Sequence, residues 1–154
     1  VSLSRRAFRA QARLSLYIQR NLKANDKIVF WSELDDLIEF SKKNQIEFLD
    51  KNEIVYNLDF CISWCNSVSE EINCSAIIGF WNIFFDLYSS IGASFLGSIR
   101  SMDAIYEKLF YGNNLPCINA SLNKYEPSFS NKEVQNIKNV MLSGIKFFED
   151  ITST

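Results

Sequence analysis

A stretch of 28 residues with a single charged side chain constrains the fold of this chain more than any other feature. It runs from Ile72 to Ile99, and its one charge is Asp86. The stretch reaches the length of about 20 apolar residues that a membrane-spanning helix needs. A carboxylate at mid-bilayer, however, costs roughly 2.5 to 3.5 kcal/mol on insertion scales. We therefore expect a helix that other helices bury on most sides, with a membrane span as the alternative.

Burial of this helix would have consequences for Asp86. The residue stands between Phe85 and Leu87, and a buried carboxylate must be paired, hydrogen-bonded or protonated. A structural ion pair with Arg100 or with an arginine of the first 23 residues is favoured over a catalytic role, because the sequence offers no nucleophile or base as its partner.

The remaining apolar pattern predicts an all-α chain. Only 5 Gly and 2 Pro occur in 154 residues, too few for the turns of a sandwich or barrel. This length suits one domain. We expect residues 1–154 to form a single compact bundle of five or six helices around the very apolar central helix. The bulky stripe of that helix comprises Phe80, Phe84, Leu87, Ile91 and Phe95, and its pattern can continue through Leu109 with a break near Gly92 or Gly97.

Four further helices follow from apolar spacings of three and four. They are predicted at 2–23, at 26–43 or from Ser32 onward, at 53–72, and from Ser130 to the end. The third has a coiled-coil-like seam of Ile54, Leu58, Cys61, Cys65, Val68 and Ile72. The last has a capping box of Ser130 and Glu133 followed by Val134, Ile137, Met141, Ile145 and Phe148. Residues 111–129 are predicted to be a long loop.

Charge is distributed unevenly along the chain, although the formal net charge is only -2. Residues 1–23 contain six basic and no acidic side chains, whereas residues 26–71 contain eleven acidic side chains and four lysines. These two segments either neutralise each other within the fold or leave one face free to attract an oppositely charged partner. The Arg-rich, acid-poor start also resembles an organellar targeting segment.

The sequence lacks the groups that most catalytic and metal sites use. It contains no His, the usual general base and the commonest metal ligand. Cys61, Cys65, Cys74 and Cys117 do not have redox or zinc-site spacing, and they are predicted to be reduced thiols that serve as small core residues. Without a secretory signal, we expect a cytoplasmic protein. We predict no enzyme activity, no cofactor and no bound metal.

The functional expectation is therefore a binding protein that engages a basic partner through acidic helices. Its most concrete form is an inhibitor or immunity protein that neutralises a toxin or nuclease, a likeness of physical type without a supporting motif. The expected acidic face comprises Glu33, Asp35, Asp36, Glu39, Glu47 and Asp50, with Trp31, Tyr56 and Trp64 as rim anchors. The alternative is a nucleic-acid-binding or regulatory protein that holds phosphates with Arg5, Arg9 and Arg13.

Overall fold

The computed structural model describes residues 34–45, 56–68, 71–117 and 124–152, and within these ranges it contains helices and turns but no strand. The helical fold class is confirmed for these residues. The described ranges contain five α-helices: α1 (Leu34–Lys43), α2 (Leu58–Asn66), α3 (Cys74–Ser90), α4 (Asp103–Gly112) and α5 (Asn131–Thr152). Two 3-10 turns, Leu96–Ser98 and Arg100–Met102, connect α3 to α4. The predicted helix at 2–23 and the start of the helix predicted from 26 or 32 lie outside the described residues.

Helix α2 is much shorter than the predicted helix at 53–72. It begins after Asn57, whose side chain accepts a hydrogen bond from the Phe60 amide (3.1 Å). It ends at Ser67, whose amide and hydroxyl both donate to the carbonyl of Trp64. Cys61 and Cys65 of the predicted seam are buried, but Val68 is 98% exposed. The seam therefore ends at Cys65, and its extension through Val68 is wrong.

Helix α3 occupies only part of the apolar stretch. The Asn73 side chain caps its start by accepting from the Ala76 amide (3.0 Å), and the helix ends at Ser90. The chain then turns at Gly92, whose φ of 72° lies in the left-handed region that favours glycine. The predicted break near Gly92 is confirmed, whereas continuous helix to Ile99 is wrong. None of the described helices combines the length and apolarity needed to cross a bilayer.

Asp86 lies on the exposed side of α3 together with Phe85, so the expectation that its carboxylate is buried is wrong. The neighbouring residues Phe84 and Leu87 are almost fully buried. Burial on one side and exposure on the other follow from the packing of α3, which contacts α4 and α5. A lack of charge along a helix does not require that all of its sides are buried. Asp86 and Arg100 are both exposed, so the expected buried ion pair between them is wrong.

Helix α5 is the most accurately predicted element. The amide of Ser130 donates to Glu133 Oε2 (2.8 Å), and the amide of Glu133 donates back to Ser130 Oγ (3.3 Å), which confirms the capping box. Its predicted inner stripe is buried in full: Val134, Ile137, Met141, Ile145 and Phe148. This stripe and the buried residues of α2, α3 and α4 belong to one apolar cluster. At one point α5 approaches α3 so closely that Gly144 lies directly against the Phe84 ring.

Candidate partner-binding surface

Helix α1 presents three carboxylates to solvent. Asp35 and Asp36 lie in its first turn, and Glu39 follows on the same side of the helix; all three are exposed. On the other side, Leu37 and Ser41 are buried, and the Ser41 hydroxyl donates to the carbonyl of Leu37 (2.8 Å). The helix is thus oriented by its buried residues, and half of the predicted acidic face points outward.

The other predicted members of this face are Glu33, Glu47 and Asp50, and they lie outside the described residues, as do Trp31 and the arginines Arg5, Arg9 and Arg13. The acidic face is therefore defined here as Asp35, Asp36 and Glu39. Acidic residues in a first turn also stabilise the helix itself, because they interact favourably with the positive end of its dipole. That local role is compatible with an outward orientation.

Tyr56 is half-buried at the start of α2. Its ring centroid lies 5.6 Å from that of Phe80, and its Cε1 atom leaves little room above Gly79 of α3. Burial raises the pKa of its hydroxyl, and the negative charge of Asp86 raises it further. The exposed part of Tyr56 can therefore contact a partner as a neutral hydrogen-bonding phenol.

Trp64 is placed where it cannot be a rim anchor. The side chain is only 7% exposed, and its indole N–H donates to the carbonyl of Glu71 (2.8 Å). The Lys138 ammonium lies 5.4 Å from its ring centroid, within the range of a cation–π contact. Trp64 thus joins α2 to the segment before α3 and to α5. The expectation that it lies at a binding rim is wrong, because the chain turns back over it.

Several large apolar side chains that sequence reasoning did not select are exposed. Phe60 of α2 is 38% exposed, next to the exposed carboxylate of Asp59. The helical spacing contained this signal, since Phe60 directly precedes Cys61 and so lies off the buried cysteine side of α2. The others are distributed over the chain: Val68, Phe85, Ile99, Tyr111, Leu115, Tyr125 and Leu142.

The predicted long loop has an ordered base. Asn114 adopts φ 52°, and its side chain bonds to both backbone groups of Tyr125: Nδ2 donates to the carbonyl (2.9 Å), and Oδ1 accepts from the amide (2.8 Å). Asparagine tolerates this left-handed backbone because its short amide bonds locally. The pair Asn113 and Asn114 directly after Gly112 was the available signal for a turn here. We call these two hydrogen bonds between Asn114 and Tyr125 the Asn114 clamp. The clamp brings the two ends of the loop together, and the rings of Tyr111 and Tyr125 there are exposed.

A second set of contacts joins α4 to the start of α5. Lys108 donates to Glu133 Oε1 (2.7 Å) and to the carbonyl of Ser128 (3.1 Å), and its ammonium lies 5.6 Å from the centroid of the Phe129 ring. The hydrogen bond from Lys108 lowers the pKa of Glu133, and those from Ser130 add to the effect. Lys108 is therefore occupied by internal contacts, and sequence reasoning gave no reason to select it.

Three of the four predicted core thiols are buried: Cys61, Cys65 and Cys74. Cys117 is exposed, so its prediction as a core residue is wrong; it lies in the loop beyond the Asn114 clamp. All four are free thiols. In the described ranges, no group of three or more Cys, Asp or Glu side chains is arranged to hold a metal ion.

The chain has no match among protein-family models, curated proteins or solved structures.

Proposed function

We propose that this chain is a non-catalytic binding protein whose acidic face engages a basic protein partner. One observation carries the proposal: Asp35, Asp36 and Glu39 are exposed while Leu37 and Ser41 of the same helix are buried. The carboxylates consequently point outward as a group, on the side of the helix opposite its buried residues. Like-charged groups gathered on one face accelerate association with an oppositely charged partner more than they increase its final affinity.

The most concrete form of the proposal is an inhibitor of a basic toxin or nuclease. Such an enzyme holds its nucleic-acid substrate with lysines and arginines, and the acidic face would pair with the same side chains and mask them. The half-buried Tyr56 supplies a further aromatic contact for the partner. The likeness to immunity proteins is one of physical type, since it rests on charge and on the absence of His from the sequence.

The proposal includes a single compact bundle in which α3 is the central helix. Its support is that α3 contacts α4 and α5, that α5 also contacts α2, and that their buried residues form one apolar cluster. We further propose that the protein acts in the cytoplasm. The free thiols of Cys61, Cys65, Cys74 and Cys117 support this, because a reducing compartment preserves them.

The test is charge reversal on the acidic face. The immobilised protein is used at low salt to capture basic proteins from an extract of its host, and the captured protein is then purified for rate measurements. We expect the double substitution Asp35→Lys and Asp36→Lys to slow association at least about tenfold at low salt, with less effect at high salt. The free energy of unfolding in urea should fall by only about 1 to 2 kcal/mol, because both side chains are exposed and the substitutions affect mainly their interaction with the helix dipole.

A matched control is the double substitution Asp103→Lys and Glu107→Lys. These side chains are also exposed, and Asp103 also lies in the first turn of a helix, α4. The control changes the net charge by the same amount at a different place. Equal slowing by both doubles would show that net charge, and not the acidic face, attracts the partner. Capture of nucleic acid that depends on Arg5, Arg9 and Arg13 would instead favour the alternative function.

A further inference from the structure

Cys61 and Cys65 form a thiol pair on the inner side of α2. They lie one helical turn apart, and both are free. Cys61 is fully buried, whereas Cys65 is 9% exposed, so small solutes reach Cys65 first. Side chains four residues apart on a helix have Cβ atoms about 5 to 6 Å from each other, close enough for the hydrogen bond that the Cys61 thiol donates to Cys65.

A lysine of α5 is fixed beside this pair. The Lys138 ammonium donates to the carbonyl of Ser67 (2.6 Å) and lies 5.4 Å from the centroid of the Trp64 ring, so it is held at the end of α2 next to Cys65. The hydrogen bond from the Cys61 thiol lowers the pKa of Cys65, burial opposes this effect, and the charge of Lys138 lowers the pKa further. The same hydrogen bond, together with burial, raises the pKa of Cys61.

We propose that Cys65 is a peroxide-reactive thiol and that Cys61 resolves its oxidised form as a disulfide. The Cys65 thiolate attacks hydrogen peroxide: an S–O bond forms, the O–O bond breaks and hydroxide leaves, so that sulfur is oxidised by two electrons and peroxide is reduced. The Cys61 thiol then attacks the sulfenic sulfur of Cys65. The S–S bond forms as the S–O bond breaks, and the oxygen leaves as water with the proton of the Cys61 thiol.

Formation of this disulfide must deform the last turn of α2. A disulfide needs Cβ atoms about 3.5 to 4.5 Å apart, closer than a regular helix places them. The backbone that has to move carries Trp64 and Ser67, which hold the contacts to Glu71 and Lys138. Oxidation would therefore loosen α2 from α5. This consequence is independent of the acidic face and of the proposed partner.

The experiment uses Cys74 as an internal control. Cys74 is 8% exposed, nearly the same as Cys65, but burial raises its pKa. The folded protein, carrying Cys117→Ser to remove the exposed thiol, is treated with hydrogen peroxide, and its peptides are quantified by mass spectrometry. We expect a disulfide between Cys61 and Cys65 to form faster than any oxidation of Cys74, because the lower pKa of Cys65 gives it the larger thiolate fraction.

Two variants separate the roles of the groups. In Cys61→Ala the sulfenic acid at Cys65 should persist and be trapped by dimedone. In Lys138→Met the rate of oxidation of Cys65 by hydrogen peroxide should fall severalfold, while the rate of oxidation of Cys74 is unchanged. If Lys138→Met does not fold, the protein that retains Lys138 is alkylated at a series of pH values. Cys65 should then react at lower pH than Cys74. Equal oxidation rates at Cys65 and Cys74, or equal pH profiles, would overturn the proposal.

Discussion

At position 144 of helix α5 only a hydrogen atom fits in place of a side chain. A Cβ atom there would overlap the ring of Phe84, which is 1% exposed and has no space to move into. Gly144→Ala should gain about 1 kcal/mol in helix propensity, but overpacking of a filled core costs about 1 to 3 kcal/mol. We therefore expect a net loss of stability, measured as a lower midpoint of urea denaturation.

Gly79→Ala in α3 is the matched substitution. The nearest atom to a Cβ at this position is Cε1 of Tyr56 at 3.3 Å, on a half-buried ring that can shift by a few tenths of an ångström. Its urea midpoint should change much less than that of Gly144→Ala. Equal losses in the two variants would mean that α3 and α5 are not as closely packed at Phe84 as the structure shows.

Trp64 tests whether a side chain stabilises the fold without contributing to binding. Trp64→Phe removes the hydrogen bond to Glu71 and weakens the contact with Lys138 while retaining an aromatic ring. We expect a loss of about 1 to 2 kcal/mol in the free energy of unfolding. The association rate with the basic partner should be unchanged. A slower association without loss of stability would restore Trp64 as a binding anchor.

The start of α5 gives a pH dependence. The hydrogen bond from Lys108 and those from Ser130 lower the pKa of Glu133 below its ordinary value of 4.5. The stabilisation by the ionised carboxylate is therefore fully present above that value and is lost as the pH falls through the lower, folded-state pKa. Glu133→Gln should lower stability at neutral pH by about 1 kcal/mol, because it removes the charge that pairs with Lys108 and interacts with the helix dipole. Below pH 4.5 its stability should approach that of the unsubstituted chain.

Urea denaturation at a series of pH values measures this convergence. Glu126→Gln is the control, because Glu126 is exposed in the loop before α5. Its curve should run parallel to that of the unsubstituted protein at every pH. A constant difference between Glu133→Gln and the unsubstituted protein down to low pH would show that the carboxylate's charge does not stabilise the start of α5.

Elements held by contacts between near neighbours in sequence were predictable, and those held by distant contacts were not. The capping box of Ser130 and Glu133 spans three residues, so the start of α5 could be deduced from the residue types. The contact between the end of α2 and α5 depends on Lys138, which lies 71 residues beyond Ser67. The exposure of Asp86 depends on which side of α3 faces α4 and α5, and apolarity alone does not specify that side.

On the candidate surface, the outward orientation of Asp35 and Asp36 was predictable from helical spacing, whereas the burial of Trp64 was not.

At the scale of the molecule, the shared apolar cluster predicts cooperative unfolding. Trp64 of α2 and Trp81 of α3 belong to the same cluster, and α5 contacts both helices. A part of the cluster cannot lose its packing without exposing apolar surface of the rest, so its helices should unfold together. Tryptophan fluorescence and far-ultraviolet circular dichroism should therefore give coincident urea transitions. Trp64→Phe and Gly144→Ala should each shift both probes by the same amount. Separation of the two curves in either variant would show that the end of α2 and the contact between α3 and α5 unfold as independent units. The prediction of a single domain would then be wrong.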